Sequence, residues 1–346
     1  MKHANISIFV PHIGCPHMCS FCNQHTISGT QKAPTTDEVR EICRKALKEI
    51  KSPENTEIAF FGGSFTAIPE SYMTQLLETA HEFIGKDKFY GIRISTRPDC
   101  ISKEILDILR KYGVTAIELG AQSMSDYVLE ANERGHTSED VFRASKLIRE
   151  YGFELGLQMM VGLYKSHFSE ECDTMDKIIE IHPDTVRIYP VVILKGTKLA
   201  KLYQSGDYVP VKTRGKKRAV VHMVAMMMKQ FEKSDIEVIK CGLHASEFVE
   251  KDMIGGFYHP AFRELCENYI YRSEMTEIIC RELGRTKGFL FMNKIKESFV
   301  FSVNPLCISK AVGQKKSNIE YFRNRNIDIK IIGDENIAKY QIELRR

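Results

Sequence analysis

Six short apolar runs rich in β-branched and aromatic residues recur along the chain, and the segments between them carry a different period. The runs are Ile6–Val10, Glu57–Phe61, Tyr90–Ser95, Thr115–Leu119, Glu154–Val161 and Thr185–Val192. Between them, stretches such as EVREICRKALKEI and ISKEILDILRKYG place apolar residues three and four positions apart, the spacing of one helix face. Six β-α units in succession call for a parallel sheet with its helices on the outer face. Runs such as IAFF and LQMMV show no strict alternation, as in strands buried on both faces. Six units are too few to close an eight-stranded barrel. The expected fold is therefore α/β, a partial (β/α)6 TIM-type barrel.

Composition agrees with a large core, since 43% of the 346 residues are apolar and 27% are charged. No run of about 18 uncharged apolar residues appears, so no membrane span is expected. The start, MKHANISIFVPHIGC, has a short apolar stretch and no small-residue cleavage pattern, which argues against secretion. Seven of the ten cysteines are scattered singly and do not form a disulfide framework. A reducing cytoplasm is the expected location.

The polar, non-generic residues fall at the C-terminal ends of the runs, where barrel chemistry belongs. Run 2 ends in Phe61-Gly62-Gly63-Ser64-Phe65-Thr66, run 3 in Ser95-Thr96-Arg97-Pro98-Asp99, and run 4 in Gly120-Ala121-Gln122-Ser123. Run 5 ends in Gln158-Met159-Met160-Val161-Gly162 and run 6 in Arg187-Ile188-Tyr189-Pro190. Run 1 leads into GCPHMCSFCNQ, where Cys15, Cys19 and Cys22 are spaced Cys-x3-Cys-x2-Cys and Phe21 directly precedes the last cysteine. Three thiolates this close can hold three irons of a [4Fe-4S] cluster, leaving the fourth iron without a protein ligand. Zinc and three incidental thiols are the alternatives. Structural zinc wants four ligands in paired spacings, and only His12, His17 and His25 lie near enough to supply a fourth.

This spacing resembles the signature of the radical S-adenosylmethionine (SAM) enzymes, in which the open iron takes SAM and one electron from the cluster cleaves it. The resemblance implies that the end of run 2 binds the methionine part of SAM. Gly62 and Gly63 permit close backbone approach, although a lone Gly-Gly also makes an ordinary tight turn. Ser64 stands where many members carry Glu. Ser64, Thr66, Ser95 and Phe21 are counted with the cofactor contacts. Gln122, Arg134 and Gln158 can hold the ribose and carboxylate of SAM, with a solvated helix-face charge as the alternative for Arg134.

The stretches FFGGSFTAI, ISTRPD, ELGAQSMSDYVLEANERGH and RIYPVVILKGTKLAKLYQSGDYVP are similar to the radical SAM domain of the Elongator subunit 3 family. The likeness runs from about residue 5 to about residue 265, ending near GGFYHPAFREL. The oxygen-independent coproporphyrinogen oxidases are a more distant relation sharing FGG and GAQS-like motifs. Elongator subunit 3 implies SAM as cofactor and chemistry on the wobble uridine of transfer RNA. Its first two cysteines are spaced more widely than here. It also carries an acetyltransferase domain, for which the about 80 residues after position 265 are too few, so acetyl-CoA chemistry is not carried over.

From Arg285 to Arg346 there are 13 Lys/Arg against 6 Asp/Glu, a net of +7, while the whole chain carries only +4. Such segregation marks a basic module for a polyanion. Within it, SFVFSVNPLCISKAVGQKKSNIEYFRNRNIDIKII reads as strand, helix, Gly-Gln-Lys-Lys turn, helix, strand. That order resembles a KH-type RNA-binding motif, with Lys316 in place of the second glycine. A small α/β cap with a solvated basic face is the alternative. A second basic run spans Lys212 to Arg218.

Residues 1–268 are expected to form the barrel with its extension, and residues 269–346 a small basic α/β module. The expected protein is a radical SAM enzyme modifying a transfer or ribosomal RNA nucleoside, fed by an external one-electron donor such as flavodoxin or ferredoxin. A radical SAM oxidoreductase acting on a small molecule, or an iron–sulfur RNA-binding protein without SAM turnover, are the alternatives. Cys100 just past a rim motif, Tyr189 and His259 are the expected catalytic groups. Buried core roles remain open for Tyr189 and His259.

Overall fold

The computed structural model describes residues 4–10, 15, 18–30, 32–211, 218–284, 286 and 296–345. The chain divides into two compact units, Met1–Val211 with Ser234–Tyr258, and Lys212–Lys233 with His259–Arg346. The expected boundary at 268/269 falls inside a continuous helix of the second unit.

The first unit opens with β1 (Ala4–Phe9), the short α1 (Gln24–Ser28) and α2 (Thr36–Glu49). It continues with β2 (Thr56–Phe61), α3 (Glu70–His81), β3 (Gly91–Thr96), α4 (Lys103–Lys111) and β4 (Val114–Gln122). Then follow α5 (Asp126–Ala131), α6 (Ser138–Glu150), β5 (Glu154–Val161), α7 (Phe168–Ile181), β6 (Thr185–Pro190), β7 (Val192–Leu194) and α8 (Lys198–Ser205). After α9 (Arg218–Lys233) of the second unit, the first is completed by β8 (Glu237–Cys241), α10 (Glu247–Asp252) and β9 (Met253–Gly256). Local signals set the helix starts. Thr35 and Thr137 cap α2 and α6 in capping boxes with Glu38 and Asp140, satisfying N–H groups that a helix leaves orphaned.

Seven strands pair in the order β1-β2-β3-β4-β5-β6-β8, every pair parallel. Strands that add in chain order, each joined by a helix to the next, wind the sheet in one direction and curl it into part of a barrel. The fold is thus the expected partial TIM-type barrel, with one strand more than the six runs showed. The seventh strand, EVIKC, holds an exposed Glu237 and a Lys in five residues, and presents no apolar run. The sixth run also splits, because Val192–Leu194 leaves the barrel sheet to pair with β9 in an antiparallel ribbon.

The two sheet faces differ in chemistry. Ile58, Phe60, Ile92, Ile94, Ile117, Leu119, Leu155, Leu157, Ile188 and their neighbours are buried on one face, each contributing about 1.5–3 kcal/mol by leaving water. The alternate positions carry charge. Arg93 donates to Glu57 at 2.6 Å and, reaching past β4, to Glu154 at 2.8 Å; it also approaches Glu118 at 3.5 Å. Arg187 joins Glu118 at 2.6 Å. Gly156 is needed beside this network, since a Cβ there would meet the Glu118 Cγ at 2.9 Å.

In the second unit, α9 packs along α11 (Phe262–Glu282). There follow β10 (Glu297–Val303), α12 (Ile308–Val312), α13 (Ser317–Arg323), β11 (Ile327–Gly333) and β12 (Glu343–Arg345). Their sheet has the order β11-β10-β12, with β11 parallel and β12 antiparallel to β10. Strand, helix, turn, helix, strand is the order read from the sequence.

Candidate active site

The cysteine loop leaves β1 at Val10, whose N–H donates to Phe61 O at 2.7 Å. Gly62 follows at φ +98, and a Cβ there would meet the Val10 carbonyl at 3.0 Å, so glycine lets the two strand ends pack backbone to backbone. Within the loop, Cys19 is buried and Cys15 and Cys22 are half-buried, all as free thiols. Three hydrogen bonds hold Ser20. Its N–H donates to Asn132 O at 3.1 Å, its hydroxyl to Asn132 Oδ1 at 2.9 Å, and its carbonyl accepts from Leu199 N at 2.7 Å. Phe21 packs on the core that contains Leu163, Val191, Ile193, Leu199 and Tyr208.

The partner of this loop is the segment from Asn132 to Thr137, in which Asn132, Arg134 and His136 are buried and Glu133, Gly135 and Thr137 are exposed. Each inward residue fixes one part of the rim. Asn132 also donates to Tyr164 O at 2.9 Å. Arg134 Nη1 donates to Cys19 Sγ at 3.0 Å and Nη2 to Gly120 O at 2.5 Å. His136 Nε2 lies 3.2 Å from Ala121 O, which makes this nitrogen the protonated one. Burial pushes His136 down to about 4, aided by Arg134 and Arg97, so the ring is neutral. Burial and the nearby Cys19 push the Cys15 thiol up, while Arg97, Arg134 and the Ser64 backbone N–H act against that rise.

The ends of β2 and β3 are joined by hydroxyls. The Thr66 hydroxyl donates to Cys100 O at 2.7 Å, so Thr96 must donate across their 2.6 Å contact. Ser64 must then donate to Thr96 at 3.1 Å, and it accepts from Arg97 N at 3.1 Å. Ser64 is 1% exposed. Thus the Ser64 and Thr66 hydroxyls tie strands together, and the half-exposed backbone of Gly62 and Gly63 is what this strand end presents. Arg97 forms a bidentate pair with Asp99 at 2.9 and 3.0 Å. Cys100 lies beside them, its thiol pushed up by burial and Asp99 and held back by Arg97 and Ser64.

Gln158 donates to Glu118 Oε2 at 2.8 Å and to Ser95 Oγ at 3.2 Å, which places both residues in the charged interior network. Tyr189 joins it beside Arg187, its hydroxyl pushed up by burial. Gln122 sits at φ +64, its Oε1 buried without a hydrogen bond. His259 belongs to the second unit, where its Nδ1 accepts from Ala261 N at 3.1 Å at the start of α11. Sequence reasoning did not single out Asn132, Thr96 or His136. In ANERGH, Asn132, Arg134 and His136 recur at every second position, which was the available signal for Asn132 and His136.

The donor set suits an iron–sulfur cluster better than a single metal ion. Among the described residues no three of His, Cys, Asp and Glu gather as they would around one ion. A cubane cluster takes one thiolate per iron, so its ligands stand farther apart than those of a single ion. The residues fit such a group: three thiols in eight positions, a guanidinium donating to one of them, and buried polar atoms without partners at Gln122 Oε1 and Arg134 Nε. His12 and His17 lie outside the described residues, as do residues 212–217 of the second basic run.

In the second unit, the turn between α12 and α13 runs Gly313-Gln314-Lys315-Lys316, with Lys315 and Lys316 exposed at φ +52 and +61. Nearby, the guanidinium groups of Arg325 and Arg272 lie 3.6 and 4.9 Å from the Tyr321 ring centre.

A partial parallel barrel with a thiol loop at the C-terminal rim of its first strand defines a class of cluster-dependent enzyme. The Radical SAM superfamily matches residues 9–178 and the Radical_SAM C-terminal domain residues 183–272. The chain belongs to the radical SAM superfamily, whose members are enzymes using a [4Fe-4S] cluster and SAM. An uncharacterized protein of Methanocaldococcus jannaschii is 30% identical over 205 residues, 58% of this chain and 60% of that protein. The tRNA uridine(34) acetyltransferase of the same organism is 29% identical over 213 residues, 55% of this chain and 39% of that protein. The solved structure of the archaeal Methanocaldococcus infernus Elp3 aligns with a TM-score of 0.62 at 19% identity, covering 79% of this chain and 63% of that chain. The chain spans less than two thirds of the length of these relatives. No helix among the described residues is long and apolar enough to cross a membrane.

Proposed function

We propose that this chain modifies an RNA nucleoside, with Cys15, Cys19 and Cys22 holding three irons of the cluster and the barrel rim receiving SAM. The observation that carries this reading is the double anchoring of the cysteine loop, by Asn132 on Ser20 and by Arg134 on Cys19. When bound, the cluster and SAM supply one-electron reductive cleavage of SAM. The chain's own part is to fix the thiols, to offer the Gly62-Gly63 backbone and Gln122 to the ligand, and to seal the strand ends with buried hydroxyls. An external one-electron donor such as flavodoxin or ferredoxin serves the cluster, and the ten free thiols suit a reducing cytoplasm.

RNA as substrate is supported by the likeness to a tRNA uridine(34) acetyltransferase and to Elongator complex protein 3. It is supported also by the basic second unit, in which exposed Lys315 and Lys316 suit phosphates and the Arg–Tyr321 stack suits bases. Cys100 is proposed as the reactive thiol of the rim. The test has two parts. Anaerobic incubation with SAM and dithionite should yield 5′-deoxyadenosine in the wild type and none in Cys15→Ala. Mass spectrometry of nucleosides from cells with and without the gene should reveal one modification that depends on it. Turnover of SAM without any RNA change would return the small-molecule oxidoreductase reading.

A further inference from the structure

Rings and guanidinium planes stack across three helices of the second unit. His222 of α9 lies 5.1 Å from Tyr269 of α11 between ring centres. The Arg272 guanidinium, three residues further along α11, sits over Tyr269 at 5.1 Å and over Tyr321 of α13 at 4.9 Å. Arg325 covers Tyr321 at 3.6 Å and is steadied there by donating from Nη1 to the Tyr321 carbonyl at 2.5 Å. Aromatic and cationic members thus alternate from Tyr269 to Arg325, and His222 ends the ladder. His222 is exposed and the other four are half-buried, so the ladder borders solvent. Beside it lies the turn of Lys315 and Lys316. Asn318, two residues on, donates to Asn268 O at 2.9 Å, which fixes the turn against the helix that carries Tyr269 and Arg272. Both lysines are exposed at positive φ, where glycine is the relaxed choice. Among the described residues neither has an ion-pair partner. Like charges side by side on a strained turn work against the fold, and they suit a polyanion.

We infer that this surface grips an unpaired RNA strand without reading its sequence, with phosphates on the Lys315–Lys316 turn and a base added to the His222 end of the ladder. This rests on the RNA reading proposed above and extends it. A continuous duplex keeps the faces of its bases stacked on one another, so it offers nothing to a ladder that ends in an exposed ring. Every base has a flat face, and stacking therefore tolerates any sequence. Guanidinium planes held against rings present their edges to phosphate oxygens at the same time. An acidic protein would satisfy the lysines and leave the ladder without a use. A membrane surface would call for several exposed apolar anchors, and Leu306 is the one large apolar side chain exposed among the described residues of this unit. The choice of nucleoside is then left to the barrel.

The experiment titrates the full chain and its variants, by fluorescence anisotropy over a salt series, against two single-stranded RNAs of unrelated sequence and about 15 nucleotides, and against a duplex of the same length. The wild type should bind the two single strands alike, and at least about tenfold more tightly than the duplex. His222→Ala and Tyr321→Leu should each weaken single-strand binding by about five- to tenfold at an unchanged salt slope, while Tyr321→Phe keeps it. Lys315→Ala and Lys316→Ala should each lower the slope by about one. Circular dichroism reports on folding; should Tyr321→Leu not fold, His222→Ala on the exposed side of α9 carries the comparison. Equal binding of duplex and single strand overturns the inference, as does full affinity in the folded stacking variants or a strong preference for one of the two strands. Failure to bind any of these RNAs overturns it too. If a cellular RNA modification still depends on the gene in that case, the RNA reading stands; if none does, that reading is itself refuted.

Discussion

Glu171 offers a test in which the sign and size of a pH effect follow from the structure. It lies on α7, 2% exposed, and accepts from Gly162 N at 2.7 Å and from the Ser166 hydroxyl at 2.8 Å. It thereby fastens the turn that follows β5, while Tyr208 fastens the same turn by donating to Gly162 O. Burial pushes the Glu171 carboxyl up from 4.5 to about 7, against the pull of those two hydrogen bonds. A carboxyl raised in this way binds its proton more tightly in the folded chain than in the unfolded one. Stability is then fullest below the unfolded value near 4.5, and it falls as pH rises through the window up to about 7. At about 1.4 kcal/mol for each pH unit, roughly 3 kcal/mol is forgone above the window.

Glu171→Gln keeps an acceptor oxygen for Gly162 and Ser166 but cannot ionise. The variant and the wild type should be nearly equal in stability near the acid end of the window. The variant should become more stable by about 3 kcal/mol at about pH 8. Native-state hydrogen exchange at the buried amides of β5 reads this unit directly. A difference that stays flat with pH, or a variant less stable on the alkaline side, would refute the reasoning.

Three further outcomes are expected. Arg93→Met strips the cation from Glu57, whose side chain is 1% exposed, while Arg187 still holds Glu118, and should destabilise the barrel by about 3–5 kcal/mol in urea unfolding. Asn132→Ala removes the side-chain one of the three hydrogen bonds on Ser20 and the bond to Tyr164 O, so the reconstituted chain should bind less iron while its circular dichroism stays native; full iron content would show that the loop needs no such side-chain anchor. Lys316→Gly relieves a side chain held at φ +61 and should raise thermal stability by about 1 kcal/mol, which Lys316→Ala should not. Both changes should lower the salt slope of RNA binding by about one if the lysine meets a phosphate.

The barrel was legible because its central strands are dense in apolar residues, and such runs announce themselves without tertiary information. Strand β8 was not, since a five-residue edge strand with two charges has no periodicity to read. The cysteines were visible from spacing alone. Asn132 and Thr96 were hidden for the opposite reason: Asn and Thr are ordinary surface residues, and only the fold brings Ser20 to one and Ser64 and Thr66 to the other. Gln158 shows how a polar strand-end residue can be claimed by the interior, since Glu118 takes its amide. His259, an expected rim group, accepts from Ala261 N through its Nδ1 beside the start of α11, a contact that only the fold reveals.

The hydroxyl chain beneath the cysteine loop has one sense, because the carbonyl of Cys100 can only accept. A proton placed there orders Thr66, then Thr96, then Ser64. Ser64, Thr96 and Thr66 therefore work as one hydrogen-bonded set. A glutamate introduced at position 64 would have no hydrogen to pass on to Thr96, no room in a fully enclosed space, and a charge beside the Cys15 sulfur. Ser64→Glu alone would remove the donor to Thr96 and leave the rest of the chain to Cys100 O without its first member.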